Sequence, residues 1–276
     1  MDLDLLPMFA VFADTLSFTE TGRRCGLTQP AVHGQVKRLA DAVGTPLYTR
    51  DGRGLRLTPR GTALAALARR VLAERDAFQA GRARPITLAA GRGAWTWWLG
   101  GALGDWIREH AVKPVLADGP AAIAGVADGR FDLGVTTDPG PGFASRVLRR
   151  VRTVLLVPPD DPLAGRHEVR VAELGGRAWV MPTAGRPHRI VMEALLRSAQ
   201  VEAVVAAEAD DWAVAGTFVA LGLGIAAVND TVRVPGTVAI PLVDGPEHDY
   251  RLFWREGADL PLPHQTPHQT PHQTDS

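Results

Sequence analysis

The sequence is poor in cysteine and in lysine, with one Cys25 and two lysines in 276 residues. A single thiol excludes an internal disulfide framework and fits a reducing compartment. No apolar run approaches the ~20 residues that a membrane helix needs. The first residues, MDLDLLPMF, are acidic where a secretory leader would be basic. The expectation is a cytoplasmic protein with no membrane partner. Chemistry-bearing constellations are missing as well: no Ser/His/Asp or Cys/His arrangement, no phosphate-binding glycine loop and no metal-ligand spacing. The chain therefore reads as a non-enzyme with no metal and no cofactor, and Cys25 as a core residue of a short helix.

What is present is unevenly distributed. The formal net charge is zero, but residues 1–84 hold 13 Lys/Arg against 8 Asp/Glu, and the remainder carries the compensating acidic excess. A basic head on an acidic body points to a head that meets a polyanion. Chance fluctuation of surface charge is the alternative, and charge alone does not separate the two.

The head has its own punctuation. Leu3, Leu6, Phe9, Val11 and Phe12 recur at helical spacing and predict a first helix. Ser17-Phe18-Thr19-Glu20 matches a capping box, opening a short helix that Gly26 ends. Thr28 caps the next helix, with Pro30 in its first turn, where no hydrogen-bond donor is lost. This is a helix-turn-helix. Val32, Val36 and Leu39 form the inward stripe of its second helix. Gln29, Pro30, His33, Gly34, Lys37 and Arg38 fall outward. Gly34 costs roughly 1 kcal/mol against alanine inside a helix; a closely approaching phosphate or base edge explains it, and so does tolerated drift. Leu47–Arg50 and Leu55–Leu57 read as short strands around Asp51-Gly52-Arg53-Gly54, a wing whose Arg50, Arg53 and Arg56 suit phosphate contacts.

Phe18, Thr19, Leu27, Thr28-Gln29-Pro30-Ala31-Val32, Gln35-Val36, Leu39, Gly44, Pro46-Leu47, Arg50, Leu57-Thr58 and Gly61 together resemble the N-terminal signature of LysR-type transcriptional regulators. Departures occur at Thr21-Gly22, where the family usually has paired alanines, at His33 (usually Ser), at Ala40 (usually Glu) and at Tyr48 (usually Phe). The resemblance implies major-groove contacts from Thr28, Gln29, Pro30, His33, Lys37 and Arg38. Gln29 would pair with adenine, and His33 would alter base preference.

Thr58-Pro59 then starts a helix expected to run to about Ala80, with Leu64, Leu67, Val71 and Phe78 along one seam. Pairing with a second chain would bury that stripe, as the resemblance implies for its dimers; packing on the chain's own body is the other reading. The expected divisions are a DNA-binding head at 1–58, a linker helix and hinge at 59–84 and an effector-binding body at 85–260. Subdomain I takes 85–157 and 236–260, and subdomain II takes 158–235.

The body alternates strand and helix: strands at 86–90, 114–117, 131–136, 179–181, 201–206 and 225–228, helices at 95–109, 121–128, 189–198 and 212–221. This order implies a mostly parallel sheet. "VPPDDPLAG", "GRFDLGV" and "ALGLGIAAV" extend the resemblance across it, which implies an α/β multidomain chain: a winged helix-turn-helix, a long linker helix and a two-subdomain, Rossmann-like body similar to type 2 periplasmic binding proteins. Carried over from the family, Gly91, Arg92, Gly93, Thr136, Thr137, Pro182, Thr183 and Val228 would line a cleft between the subdomains, with Trp95 close by. Relatives often have Ser or Thr where Gly93 stands. An aromatic or carboxylate-bearing co-inducer is the expected ligand, although Trp95, Trp97 and Trp98 read more readily as core, since aromatics on helices mostly pack, and Arg92 also reads as a surface residue.

Residues 261–276 form a tail whose Pro-His-Gln-Thr repeats forbid helix; a metal site at His264, His268 and His272 is disfavoured. Pro261 and Pro263 also stand where relatives carry a final helix. The functional expectation is a regulator that binds promoter DNA as a homodimer or homotetramer, responds to a small molecule and contacts RNA polymerase. The competing reading is an effector-binding or interaction protein with weakened DNA binding and no ligand-gated switching, because the final helix is lost.

Overall fold

The computed structural model describes residues 2–52 and 54–263. Arg53 of the wing and the histidines of the tail repeats lie outside the described residues. In chain order, the first elements are α1 (Leu6–Thr15), α2 (Phe18–Cys25), α3 (Gln29–Val43), β1 (Tyr48–Asp51), β2 (Gly54–Leu57) and α4 (Pro59–Gln79). Next come β3 (Ile86–Ala90), α5 (Arg92–Ala94), a π-turn (Trp95–Leu99), α6 (Gly100–Glu109), β4 (Val112–Leu116), α7 (Gly119–Ala127), β5 (Leu133–Thr136) and β6 (Phe143–Val157). The last are β7 (Ala178–Met181), α8 (Pro187–Ser198), β8 (Val204–Glu208), α9 (Trp212–Ala220), β9 (Ala226–Asn229), β10 (Val238–Pro241) and β11 (Glu247–Arg255).

Two compact units result: residues 2–91 with Asp105–Ser145 and Leu252–Leu262, and Arg92–Gly104 with Arg146–Arg251. These units divide the body at other positions than the subdomains read from the sequence. Strand β6 changes unit after Ser145, β11 after Arg251 and helix α6 after Gly104, so these divisions fall inside regular elements and not in the polar loops that sequence reading favours.

In the first unit the head packs around Phe9, Phe12, Val32, Val36, Leu39 and Leu47, all fully buried. Phe12 stacks on Phe18 with centroids 4.9 Å apart. Thr28 Oγ1 accepts from the Ala31 N–H at 3.3 Å, and Gly44 closes α3 in the left-handed region. The wing strands pair antiparallel, Tyr48 opposite Leu57. The capping box of α2 is only half made. Ser17 Oγ accepts from the Glu20 N–H at 3.3 Å, but the Glu20 carboxylate accepts instead from Arg23 and Arg24. Those bonds, Arg23's first, hold its carboxyl at about 2. Two guanidinium groups at i+3 and i+4 compete better for a carboxylate than one neutral amide does.

Helix α4 makes its first contacts within its own chain. Leu64, Ala65 and Ala68 are buried in the head core beside α1, with Leu67 and Val71 packed partly against it. Another face of α4 meets α7: a Cβ on Gly129, which has φ +77°, would lie 2.6 Å from the Ala66 Cα. Leu64 of the stripe is therefore buried within one chain and Leu67 and Val71 are half-buried, because the first turns of α4 belong to the head. Phe78 is 86% exposed.

The α/β part of this unit places β3 between β4 and β5, both parallel to it. Asp132, just before β5, is 6% exposed. Its Oδ2 accepts from Arg84 Nη1, the Thr87 N–H and the Thr87 hydroxyl, each at 2.8 Å. Arg84 also donates to Glu74 at 3.0 Å. After β11 no helix follows among the described residues; the Pro261 carbonyl accepts from Trp106 Nε1 at 2.9 Å.

In the second unit β6 pairs antiparallel with β9 (Val154 opposite Val228) and with β10 (Leu155 opposite Ile240). Parallel pairing here joins β7 with β8 and adds the bridges from Trp179 to Ile225 and from Val169 to Leu242, so the pairing is mixed and not mostly parallel. The two-residue period of β6 sends Leu155 and Val157 into one core cluster and Val154 and Leu156 into another.

Candidate nucleic-acid interface and ligand site

Helix α3 sorts its residues as its period requires. Val32, Val36 and Leu39 are fully buried, while Thr28, Gln29, Pro30, His33, Gly34, Lys37 and Arg38 are all exposed. Nothing lies within 4 Å of a Cβ placed on Gly34, so its open side is free for a close approach. Arg38 pairs with Asp2 at 3.3 Å and Arg56 with Asp51 at 3.8 Å. Exposed pairs of this kind are worth about 1 kcal/mol at most, so both cations can be redirected to a phosphate. Arg50 is exposed on β1.

His33 is not a free tip. Its ring meets Phe18 edge-on, with centroids 5.1 Å apart, and Nε2 lies 3.5 Å from the Tyr48 hydroxyl. Tyr48 in turn packs edge-on against Phe12 and Phe18. Two departures from the family signature, fifteen residues apart in sequence, are thus one structural feature. Each was legible as a residue exchange; their contact was not, because it depends on how β1 returns to α3.

The residues expected to hold a ligand are split between the units. In the first, Gly91 follows β3 and Thr136 is buried at the end of β5, its hydroxyl 3.1 Å from where a Gly119 Cβ would be; Thr137 is exposed. In the second, Gly93 and Val228 lie near Trp212, Arg92 and Thr183 meet the aspartates just before it, and Pro182 meets Arg189. A Cβ on Gly93 would lie 3.3 Å from the Trp212 ring, and Val228 and Trp97 pack in the same cluster as that indole. Arg92 Nε is 3.7 Å from Asp211. Asp211 also caps α9, accepting from the Ala213 N–H at 2.8 Å. Trp95 is half-buried in the π-turn, whereas Trp98 is buried and lies 5.4 Å from Tyr250.

Thr183 donates both its N–H (2.9 Å) and its hydroxyl (2.8 Å) to Asp210. These bonds, with Arg186 behind them, hold the Asp210 carboxyl below its ordinary range. The Pro182 carbonyl accepts from the buried Arg189 at 2.8 Å. His188 meets Trp212 edge-on at 6.1 Å, and its Nε2 lies 2.8 Å from the Ala227 carbonyl. Burial lowers its proton affinity, as does nearby His248, against the pull of the Ala227 bond. Sequence reasoning missed Trp212, His188, Asp210 and Asp211. The Asp-Asp-Trp run ahead of α9 was the available signal: a helix N-cap with an aromatic directly after it.

The missing hydroxyl at Gly93 now has a physical partner. Any side chain there would press on the indole, so absence at 93 and bulk at 212 are complementary. The arrangement offers a cationic group, an aromatic face and a row of committed carboxylates.

A helix-turn-helix with a hairpin wing, a long following helix and an α/β body define a two-part winged-helix protein. The chain belongs to the LysR family. Residues 79–267 match the LysR substrate binding domain, and residues 3–62 match the bacterial regulatory helix-turn-helix of the lysR family. A small neutral protease regulatory protein of Streptomyces coelicolor is 29% identical over 203 residues, covering 66% of this chain and 60% of that protein. The transcriptional regulator DgdR of Burkholderia cepacia is 27% identical, covering 87% of this chain and 86% of its own. Among solved structures, a full-length OxyR variant of Pseudomonas aeruginosa superposes with a TM-score of 0.62 at 19% identity, covering 92% of this chain and 89% of that one. Full-length CbnR complexed with its target DNA superposes at 0.52 with 18% identity, covering 95% of each chain. No helix among the described residues is long and apolar enough to cross a membrane.

Proposed function

We propose that this chain is a cytoplasmic, non-catalytic transcriptional regulator that needs no cofactor. It binds promoter DNA as a homodimer or homotetramer, and a small-molecule effector biases its geometry. The observation that carries this reading is the exposed polar side of α3 (Gln29, Pro30, His33, Lys37, Arg38) set against its buried apolar side. Residues of α3 read base edges, while Arg50 and Arg56 grip phosphates. Exposed Phe78, with Leu67 and Val71 partly uncovered, supports pairing of α4 with a second copy. The Arg92 and Trp212 neighbourhood supports an aromatic or carboxylate-bearing effector. Contact with RNA polymerase follows from the role. The alternative of a head with weakened DNA affinity is not favoured, because the reading side of α3 is intact.

The test is binding to the DNA upstream of its own gene across a salt series. Preference over a random duplex is expected, with affinity falling log-linearly in salt. Equal binding to both duplexes would sink specific regulation. Replacing His33 by Ser should change base preference at fixed salt and leave the salt slope unchanged, since a base contact is altered and no phosphate contact is lost. Tyr48→Phe should shift preference in the same direction and by less, because it removes only the hydroxyl facing His33.

A further inference from the structure

We propose a second ligand site in the first unit, in the cavity lined by α4, the end of α7, the turn at Pro141–Gly142 and Arg255, and that it takes a small monocarboxylate with an apolar body. The cavity measures about 440 Å³, within the usual range for small-molecule sites. Ala63, Ala66 and Leu67 supply an apolar wall from one face of α4, and Phe143 adds an aromatic one.

Two cations converge on this space, Arg70 and Arg255. Arg255 Nη1 donates to two neutral acceptors, the Val126 carbonyl at 2.6 Å and the Phe131 carbonyl at 3.4 Å. Two of the nearby carboxylates are committed elsewhere, Asp128 to Arg69 and Arg130 and Asp132 to Arg84. Among the described residues neither Arg70 nor Arg255 forms an ion pair. Burial disfavours the Arg255 cation and the like charge of Arg70 adds to this, partly offset by Asp132. A carboxylate in the cavity would supply the missing counter-charge, and a guanidinium fork matches it in two bonds. Glu256 also lines the cavity; its charge discriminates against a dianion and offers an acceptor to a ligand hydroxyl. Such a ligand would touch both α4 and the α/β part of the unit, tying the helix that carries the head to the body.

The test uses the full-length protein, with benzoate as the probe and benzamide as its neutral counterpart, read by equilibrium dialysis and ligand-observed NMR. One benzoate is expected to bind in this cavity in or below the millimolar range, with benzamide at least about tenfold weaker. That binding should persist when Arg92→Met removes the cation of the candidate effector site in the other unit. Measured in this Arg92→Met background, Arg70→Met and Ala63→Trp should each weaken benzoate by about tenfold or more. Both Arg70 and Ala63 are exposed; should Ala63→Trp fail to give a wild-type melting curve, Arg70→Met decides. Failure of benzoate to bind, or its loss in Arg92→Met with retention in Arg70→Met, would overturn the proposal. So would a change in sedimentation on Ala63→Trp with benzoate binding kept, which would assign the cavity to a second copy of the chain.

Discussion

Alanine at Gly61 is expected to destabilise the head by about 3 kcal/mol and to abolish DNA binding well below the wild-type melting temperature. Gly61 lies in the first turn of α4, where its N–H donates to the Thr58 hydroxyl at 3.0 Å. A Cβ there would overlap the Leu47 carbonyl oxygen, and Leu47 Cα would lie 3.3 Å away. The obstacle is backbone, so no rotamer change relieves it. The Thr58 hydroxyl is itself bonded to the Pro46 carbonyl at 2.8 Å, and the Thr58 N–H to the Leu47 carbonyl at 3.1 Å. Helix and loop are therefore latched at three points, and moving one strains the others. Thermal melts of the full chain and duplex binding at matched temperature check this. Gly34→Ala is the contrasting case: with open space around it, alanine should stabilise the free protein by roughly 1 kcal/mol. If the open side of α3 admits DNA closely, the same substitution should weaken binding while the melting temperature rises. An unchanged melt in Gly61→Ala would show that the latch yields.

Removal of the Asp132 carboxylate, by Asp132→Ala, should cost about 3 kcal/mol, towards the low end for breaking a buried pair because Arg84 keeps Glu74 as a second partner. Asp132→Asn should cost less, since an amide oxygen still accepts from the Thr87 N–H. The pH dependence has a definite sign. Burial pushes the Asp132 carboxyl up, but Arg84 and the two Thr87 donors outweigh it, and the net direction is down from 3.8. A carboxyl whose folded value is depressed contributes stability fully above its unfolded value, lost as pH falls through the folded one. Wild type should lose this contribution only below about pH 4, and Asp132→Ala should lack that part of the acid limb. Denaturant titrations between neutral pH and pH 3 measure it. An identical pH profile in the two proteins would show that the network adds nothing to stability.

Local chemistry made the head readable without coordinates. Thr28 and Gly44 bound α3 through groups within a few residues of the helix ends. The inward row of Val32, Val36 and Leu39 follows from 3.6 residues per turn, whatever the chain does elsewhere. The same local logic misfired at Glu20, where hydroxyl and carboxylate spacing predicted a reciprocal cap and two arginines one turn on took the carboxylate. For α4 the stripe was visible but its partner was not, because periodicity says that a face is buried and not against what.

The sequence by itself determined the family, the helix-turn-helix, its inward and outward sides and the alternation of strand and helix in the body. These rest on spacing and caps, which are short-range properties. Only the tertiary structure decided that His33 stands against Tyr48, that Trp212 fills the space left at Gly93, that Asp132 gathers Arg84 and Thr87, and that Arg70 and Arg255 face one cavity. Each joins residues far apart in the chain. Their distance is set by how whole elements pack, and no local pattern encodes it.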